Sequence, residues 1–147
     1  MIILPAIDLY DGKVVRLTQG DYSRRREYQL SPVEAAKGFM AAGCAHIHVV
    51  DLEGAKEGVP KHLKELSEIA ALGFFVQYGG GLRSAESVAC ALEAGADRVM
   101  AGSLIFKDME RASELSARFG EKIMAAVDLR GGRVVHSGWL ESTALDA

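Results

Sequence analysis

A ten-residue phrase occurs twice in this chain, 120 positions apart, and it constrains the fold more than any other feature. Ala6-Ile-Asp-Leu-Tyr-Asp-Gly-Lys-Val-Val15 returns as Ala126-Val-Asp-Leu-Arg-Gly-Gly-Arg-Val-Val135, with six of ten positions identical. Each copy is a short apolar run that reaches an aspartate, Asp8 or Asp128, then passes a glycine turn into a second apolar run. A carboxylate at the end of a buried strand is costly unless it is paired or used. Two of them at matching points of a repeated unit point to one site built from two related halves. The spacing divides a single partial domain, 1–147, into a first unit over 1–120 and the start of a second over 121–147.

Between the two copies, apolar runs alternate with helix-length amphipathic stretches. The runs cover 2–7, 46–50, 74–78, 98–101 and 123–127. Four helical patterns separate them, each punctuated at its ends. Ser31-Pro32-Val33-Glu34 is a capping box with proline at the first helical position, and Gly43 closes that helix. Pro60 opens the second, Ser84 the third, and Asp108 caps the fourth. This alternation predicts about five parallel strands and four helices joined by right-handed crossovers. An open doubly wound sheet and a (β/α)8 barrel both fit that order. The half-length repeat favours the barrel, since twice 120 is close to the ~250 residues typical of eight units. No dinucleotide fingerprint follows the first strand, which weakens the open sheet.

Polar residues gather at the carboxyl ends of the runs, the rim that carries catalysis in such barrels. Asp8, Asp51 and Asp128 share one pattern, two apolar residues followed by Asp-Leu. In a closed barrel, strands one and five lie opposite each other. Asp8 and Asp128 would then flank a substrate, one protonated and one ionised, an arrangement suited to general acid–base work. The competing reading is that each aspartate caps the loop it begins. Gly79-Gly80-Gly81 and Gly102-Ser103 resemble a phosphate cradle, in which backbone N–H groups approach an anion closely. A tight turn needs glycine in any case. Arg83 stands ready to supply a positive fork. The connection from Thr18 to Leu30 reads as a long loop, of the kind that is a functional lid or disordered. Trp139 suits either stacking on a flat ring or covering the core at the rim.

Composition narrows the partners. Hydrophobic residues make up 49% and charged residues 25%, as in ordinary globular domains, and the net charge of −3 argues against nucleic acid or an anionic membrane. Cys44 and Cys90 lack metal or redox spacing, and no His, Cys or carboxylate cluster has a metal-ligand pattern. The N-terminal apolar run is too short and wrongly flanked for a signal peptide, so a cytoplasmic location is expected.

Taken together, Ala6-Ile-Asp-Leu9, Val15-Arg-Leu17, Gln19-Gly-Asp-Tyr22, His48-Val-Val-Asp-Leu-Glu-Gly-Ala55, Gln77-Tyr-Gly-Gly-Gly-Leu-Arg83, Gly102-Ser103 and Gly138-Trp139 resemble the histidine-pathway ProFAR isomerase family. The resemblance runs along the whole chain in order. It implies an intramolecular aldose–ketose isomerase that converts ProFAR, an aminoaldose bisphosphate, to the aminoketose PRFAR by an Amadori rearrangement. It implies Asp8 as general base and Asp128 as general acid. Gly81, Gly102 and Ser103 would hold one phosphate, His48, Asp51 and Arg83 would orient the glycon, and Trp139 would stack on the aminoimidazole. It implies no cofactor and no metal. The sister family, the cyclase subunit of imidazole glycerol phosphate synthase, shares the repeat but differs in its first two strand motifs. A third reading is an inactive half-barrel that binds phosphate without turnover. The family's full chain has eight units, so this chain reads as an incomplete barrel whose open sheet favours self-association.

Overall fold

In the computed structural model, residues 2–130, 133–136 and 141–146 are described, with side chains described through Asp128. Seven strands form one sheet: β1 (Ala6–Tyr10), β2 (Lys13–Thr18), β3 (Asp21–Glu27), β4 (His46–Asp51), β5 (Phe75–Gly79), β6 (Arg98–Ala101) and β7 (Ile123–Ala125). Their order is β3-β2-β1-β4-β5-β6-β7. The five strands β1, β4, β5, β6 and β7 pair in parallel, while β2 and β3 add an antiparallel hairpin at the β1 edge. Helices α1 (Pro32–Ala41), α2 (Leu52–Glu57), α3 (Leu63–Ala70), α4 (Ala85–Glu93), α5 (Ser103–Lys107) and α6 (Met109–Phe119) fill the connections. The five parallel strands match the barrel-family expectation, and the sheet is not closed.

Alternation along each strand sorts the two faces. Ile7, Leu9, Ile47, Val49, Val76, Tyr78 and Val99 are fully buried and meet Ala36, Leu66, Ile69, Val88 and Ala91 of the helices. Each large aliphatic side chain removed from water in this way contributes on the order of 2 kcal/mol. The opposite face is polar and more open. Register places Ala6 beside His48, His48 beside Gln77, and Gln77 beside Arg98. One pleat further along, Asp8 lies beside Val50, Val50 beside Gly79, Gly79 beside Met100, and Met100 beside Met124.

Local chemistry explains the helix starts. Ser31 Oγ accepts from the Glu34 N–H while Glu34 accepts from the Ser31 N–H at 2.7 Å, with Pro32 in the first turn. Ser84 and Ser87 form an equivalent box for α4, and Asp108 Oδ1 accepts from the Arg111 N–H at 3.0 Å for α6.

Three expectations are corrected. The first strand begins at Ala6, and Ile2 and Ile3 are 68% and 66% exposed. Pro5 has no N–H to donate, and its carbonyl accepts from the His48 N–H as the ladder begins. The connection from Thr18 to Leu30 is mostly ordered as β3, because Arg25 stacks 4.2 Å over the Tyr10 ring and Tyr22 packs edge-on to Tyr10. Among the described residues there are six α-helices rather than four. The additional ones, α2 and α5, are six and five residues long and follow strands directly, too short to show periodicity.

The repeat is realised as geometry. β8 (Asp128–Arg130), β9 (Arg133–His136) and β10 (Glu141–Asp146) form a separate sheet in the order β10-β9-β8. Asp128 pairs with Val135, Leu129 with Val134 and Arg130 with Arg133. In the first copy Asp8 pairs with Val15, Leu9 with Val14 and Tyr10 with Lys13. Adding 120 to each residue of one hairpin reproduces the other. The expected fifth parallel strand ends early, however. β7 stops at Ala125, and Asp128 begins the second hairpin instead of closing a parallel strand.

Candidate functional site

Asp8 lies on the open face at the middle of β1, half-buried, rather than at the strand's end. Burial raises its carboxyl above the ordinary 3.8, opposed by the positive charge of Arg16. Across the sheet, His48 Nδ1 lies 3.2 Å from the Gln77 carbonyl and 3.3 Å from Gln77 Nε2. Burial pushes the His48 imidazole below its usual value, so the neutral ring is favoured. Gln77 ties this row together: its Oε1 accepts from Arg98 at 2.8 and 3.2 Å. Asp8, His48, Gln77 and Arg98 thus form a charged and polar band on one face of the parallel sheet. Gln77 and Arg98 were not anticipated as site residues. The signal available was a glutamine interrupting an otherwise apolar strand.

Asp51 points the other way. It shares the helix-side face with Ile47 and Val49 and is fully buried. Its Oδ1 accepts from the Gly54 N–H at 2.6 Å, and its Oδ2 accepts from Lys61 N–H at 2.6 Å, His62 N–H at 3.0 Å and Tyr78 OH at 2.7 Å. Gly54 is held to glycine by contact, since a Cβ there would lie 2.8 Å from the Asp51 carboxyl carbon. The carboxylate expected to orient a sugar is therefore occupied in building the loop after β4, the loop-capping alternative open in the sequence.

The glycine turns also have internal duties. Gly81 is buried with φ +75°, and a Cβ there would meet the Val59 and Pro60 backbone. The turn after β5 is thereby packed under the loop that precedes α3. Arg83 Nη2 donates to the Ala55 carbonyl at 3.0 Å, neutralising the C-terminal end of α2 instead of reaching across the open face. Gly102 precedes Ser103 at the start of α5, and a Cβ at Gly102 would lie 3.6 Å from the Ala126 carbonyl oxygen. That places the turn after β6 against the segment leading to Asp128.

Asp128 has a carboxyl raised by desolvation. Trp139 lies outside the described residues. Among the described residues, no group of three His, Cys, Asp or Glu side chains is arranged to hold a metal ion. None of the described helices is long and apolar enough to cross a membrane.

A second polar cluster, absent from the sequence reading, adjoins Asp51. His62 is buried, and its Nε2–H donates to Glu53 Oε2 at 2.7 Å. The Glu65 carboxylate lies 3.6 Å from its Nδ1. No spacing rule links these residues, because the loop from 58 to 62 brings them together.

Comparison with known proteins agrees with this architecture. The family described as "Histidine biosynthesis protein" matches residues 2–147. A curated relative from Caldicellulosiruptor saccharolyticus is 46% identical over 99% of this chain and 62% of its own length. Relatives from a Sulfurihydrogenibium species and a Synechocystis species are 42% and 44% identical, over 96% and 100% of this chain and 59% and 58% of their own lengths. All three are named as an imidazole-4-carboxamide isomerase, with two phosphoribosyl groups in the substrate name. The chain spans about 60% of the length of the curated relatives it matches.

Proposed function

The chain belongs to the histidine biosynthesis protein family, and from that premise we propose that it carries the acid–base portion of a ProFAR isomerase. The observation that carries this reading is Asp8, a desolvated carboxyl on the open polar face beside Arg16 and the band of His48, Gln77 and Arg98. The names of the curated relatives supply the substrate class, a bis-phosphoribosyl imidazole carboxamide, and favour the isomerase over the cyclase reading.

The chemistry needs only proton transfers. Asp128 protonates the ring oxygen and opens the furanose to the iminium. Asp8 removes the C2 proton, giving the enaminol that becomes the aminoketose. The electrostatics support this division of labour. Both carboxyls are raised by desolvation, and the positive charge of Arg16 beside Asp8 favours its ionised form. In this division Asp8 takes the base role and Asp128 the acid role. The backbone of Gly81, Gly102 and Ser103 holds a phosphate, His48 faces the glycon as a neutral ring, and Trp139 stacks on the imidazole. Arg83 and Asp51 act through the loops they brace. The reading includes a cytoplasmic location, no cofactor, and no nucleic-acid or membrane partner.

The test is steady-state kinetics on a chain carried to the relatives' full length, with Asp8→Asn and Asp128→Asn variants. Each substitution keeps shape and removes proton transfer, so kcat falls by ~10²–10⁴. Wild-type kcat in either variant removes that residue from the mechanism.

A further inference from the structure

The hairpin that carries Asp8 is held from outside itself. Its turn, Asp11-Gly12, has both residues left-handed, at φ +52° and +67°. Asp-Gly is the sequence that makes such a two-residue turn unaided. The turn therefore needs no help to form, yet the Asp11 N–H donates to Glu53 Oε2 at 2.6 Å, across 42 positions of sequence. The same oxygen accepts from His62 Nε2–H at 2.7 Å. His62 is itself fixed through its backbone N–H on Asp51. One residue before Glu53, the Leu52 carbonyl accepts from Tyr22 OH at 3.1 Å, and the Lys56 ammonium lies 5.8 Å from the Tyr22 ring. The short helix α2 thus grips both the β1–β2 turn and β3, and is rooted in the buried Asp51 network.

We propose that Glu53 is a positioning residue for Asp8, its carboxylate seating the β1–β2 hairpin on α2 and so fixing where the Asp8 carboxyl is presented. The inference rests on the reading of Asp8 as a proton-transfer group. Two features separate it from a general stabilising contact. The acceptor is charged and shared by two donors, which makes the tie short and directional. The tie also lies three residues from Asp8 on a two-stranded ribbon, where a change in seating angle moves the carboxyl directly. A displacement of about 1 Å at a reacting group costs on the order of 10² in rate.

The experiment uses this chain with Glu53→Ala and Glu53→Gln. Two readouts need no substrate: the Asp8 carboxyl titration followed by carbon NMR, and hydrogen exchange at the Asp11 amide. In Glu53→Ala the Asp11 amide exchanges about tenfold faster or more, the loss of one hydrogen bond. The Asp8 midpoint falls toward its ordinary value as the hairpin lifts and water reaches the carboxyl. Glu53→Gln keeps an accepting oxygen without the charge and leaves both readouts between wild type and the alanine variant. An unmoved Asp8 midpoint in a folded Glu53→Ala chain overturns the proposal, as does a Glu53→Gln chain that behaves like the alanine variant. Should Glu53→Ala fail to fold, Glu53→Asp draws the carboxylate back by one methylene and breaks its tie to the Asp11 N–H. The Asp8 midpoint must then shift in the same direction, and an unchanged midpoint again overturns the proposal. Seating that behaves as expected, together with an Asp8→Asn enzyme of wild-type turnover, removes the acid–base reading and leaves the seating intact.

Discussion

Tyr78 and Asp51, 27 positions apart and both fully buried, are joined by a 2.7 Å hydrogen bond from phenol to carboxylate. Burial and the Asp51 charge push the Tyr78 hydroxyl far above its usual range, so it stays a donor at any pH the fold survives. This bond joins β5 to the end of β4 beneath the face that carries Asp8.

The two partners are not equivalent in energy. Tyr78→Phe removes one of four donors and leaves Asp51 accepting from three backbone N–H groups, costing about 1.5–3 kcal/mol. Asp51→Ala strands the N–H groups of Gly54, Lys61 and His62 together, and the cost rises to about 3–5 kcal/mol. Urea denaturation followed by circular dichroism separates them. Equal midpoints for the two variants would show that the loop after β4 does not depend on the carboxylate.

Stability should respond to pH through Asp8. Its carboxyl titrates higher folded than unfolded, so the unfolded chain releases the proton first as pH rises. Stability is fully present below the ordinary 3.8 and is lost as pH climbs through the folded value. Asp8→Asn abolishes this loss. The variant is therefore more stable than wild type at pH 7, and the advantage disappears below pH 3.8. Thermal melts at the two pH values measure it, and an advantage that grew on acidification would reverse the sign.

Gly81→Ala should destabilise without touching any side chain on the open face. The residue must hold φ +75° and would also press a methyl into the Val59–Pro60 backbone. Left-handed strain alone costs about 1–3 kcal/mol, and the clash adds to it. A variant with the wild-type melting temperature would mean that the loop before α3 yields freely.

The open sheet has an expected cost in solution. A cleft of about 570 Å³ runs beside β1, lined by Asp8, Val15, Leu30 and Phe39, and Ile2, Ile3 and Val127 are more than half exposed. Uncovered edges and apolar surface of this kind favour association. Sedimentation of this chain at tens of micromolar is expected to give a mass above 15.8 kDa. A single monomeric species would show that the face is tolerated by water.

Much of the fold was legible because its signals are local. Period-2 runs, the Ser31–Glu34 box and the glycine stops each report on a few neighbouring residues, and the repeat announced its own register. What escaped depends on distance. The direction of Asp51 was ambiguous because the end of a strand is also the start of a loop, and only the donors at Gly54, Lys61 and His62 decide it. The same holds for Arg83, whose partner is a carbonyl at the end of a helix too short to foresee. Strand β3 was hidden by its charge, since Asp21–Glu27 carries five charged residues and is held by cation–ring contacts instead of an apolar stripe.

The identical pairing frames of the Asp8 and Asp128 hairpins have a bearing on ancestry. A strand–turn–strand copied whole keeps its frame only if every later edit respects it. The sequence between the paired segments reads Asp11-Gly12 in one copy and Gly131-Gly132 in the other, and the residue before it Tyr10 or Arg130, while the aspartate pairs with a valine in both copies. The two hairpins thus share one backbone frame and differ in the side chains it presents, so the frame can carry different chemistry in each copy. Exchanging residues 6–15 with 126–135 would show how far that divergence has gone.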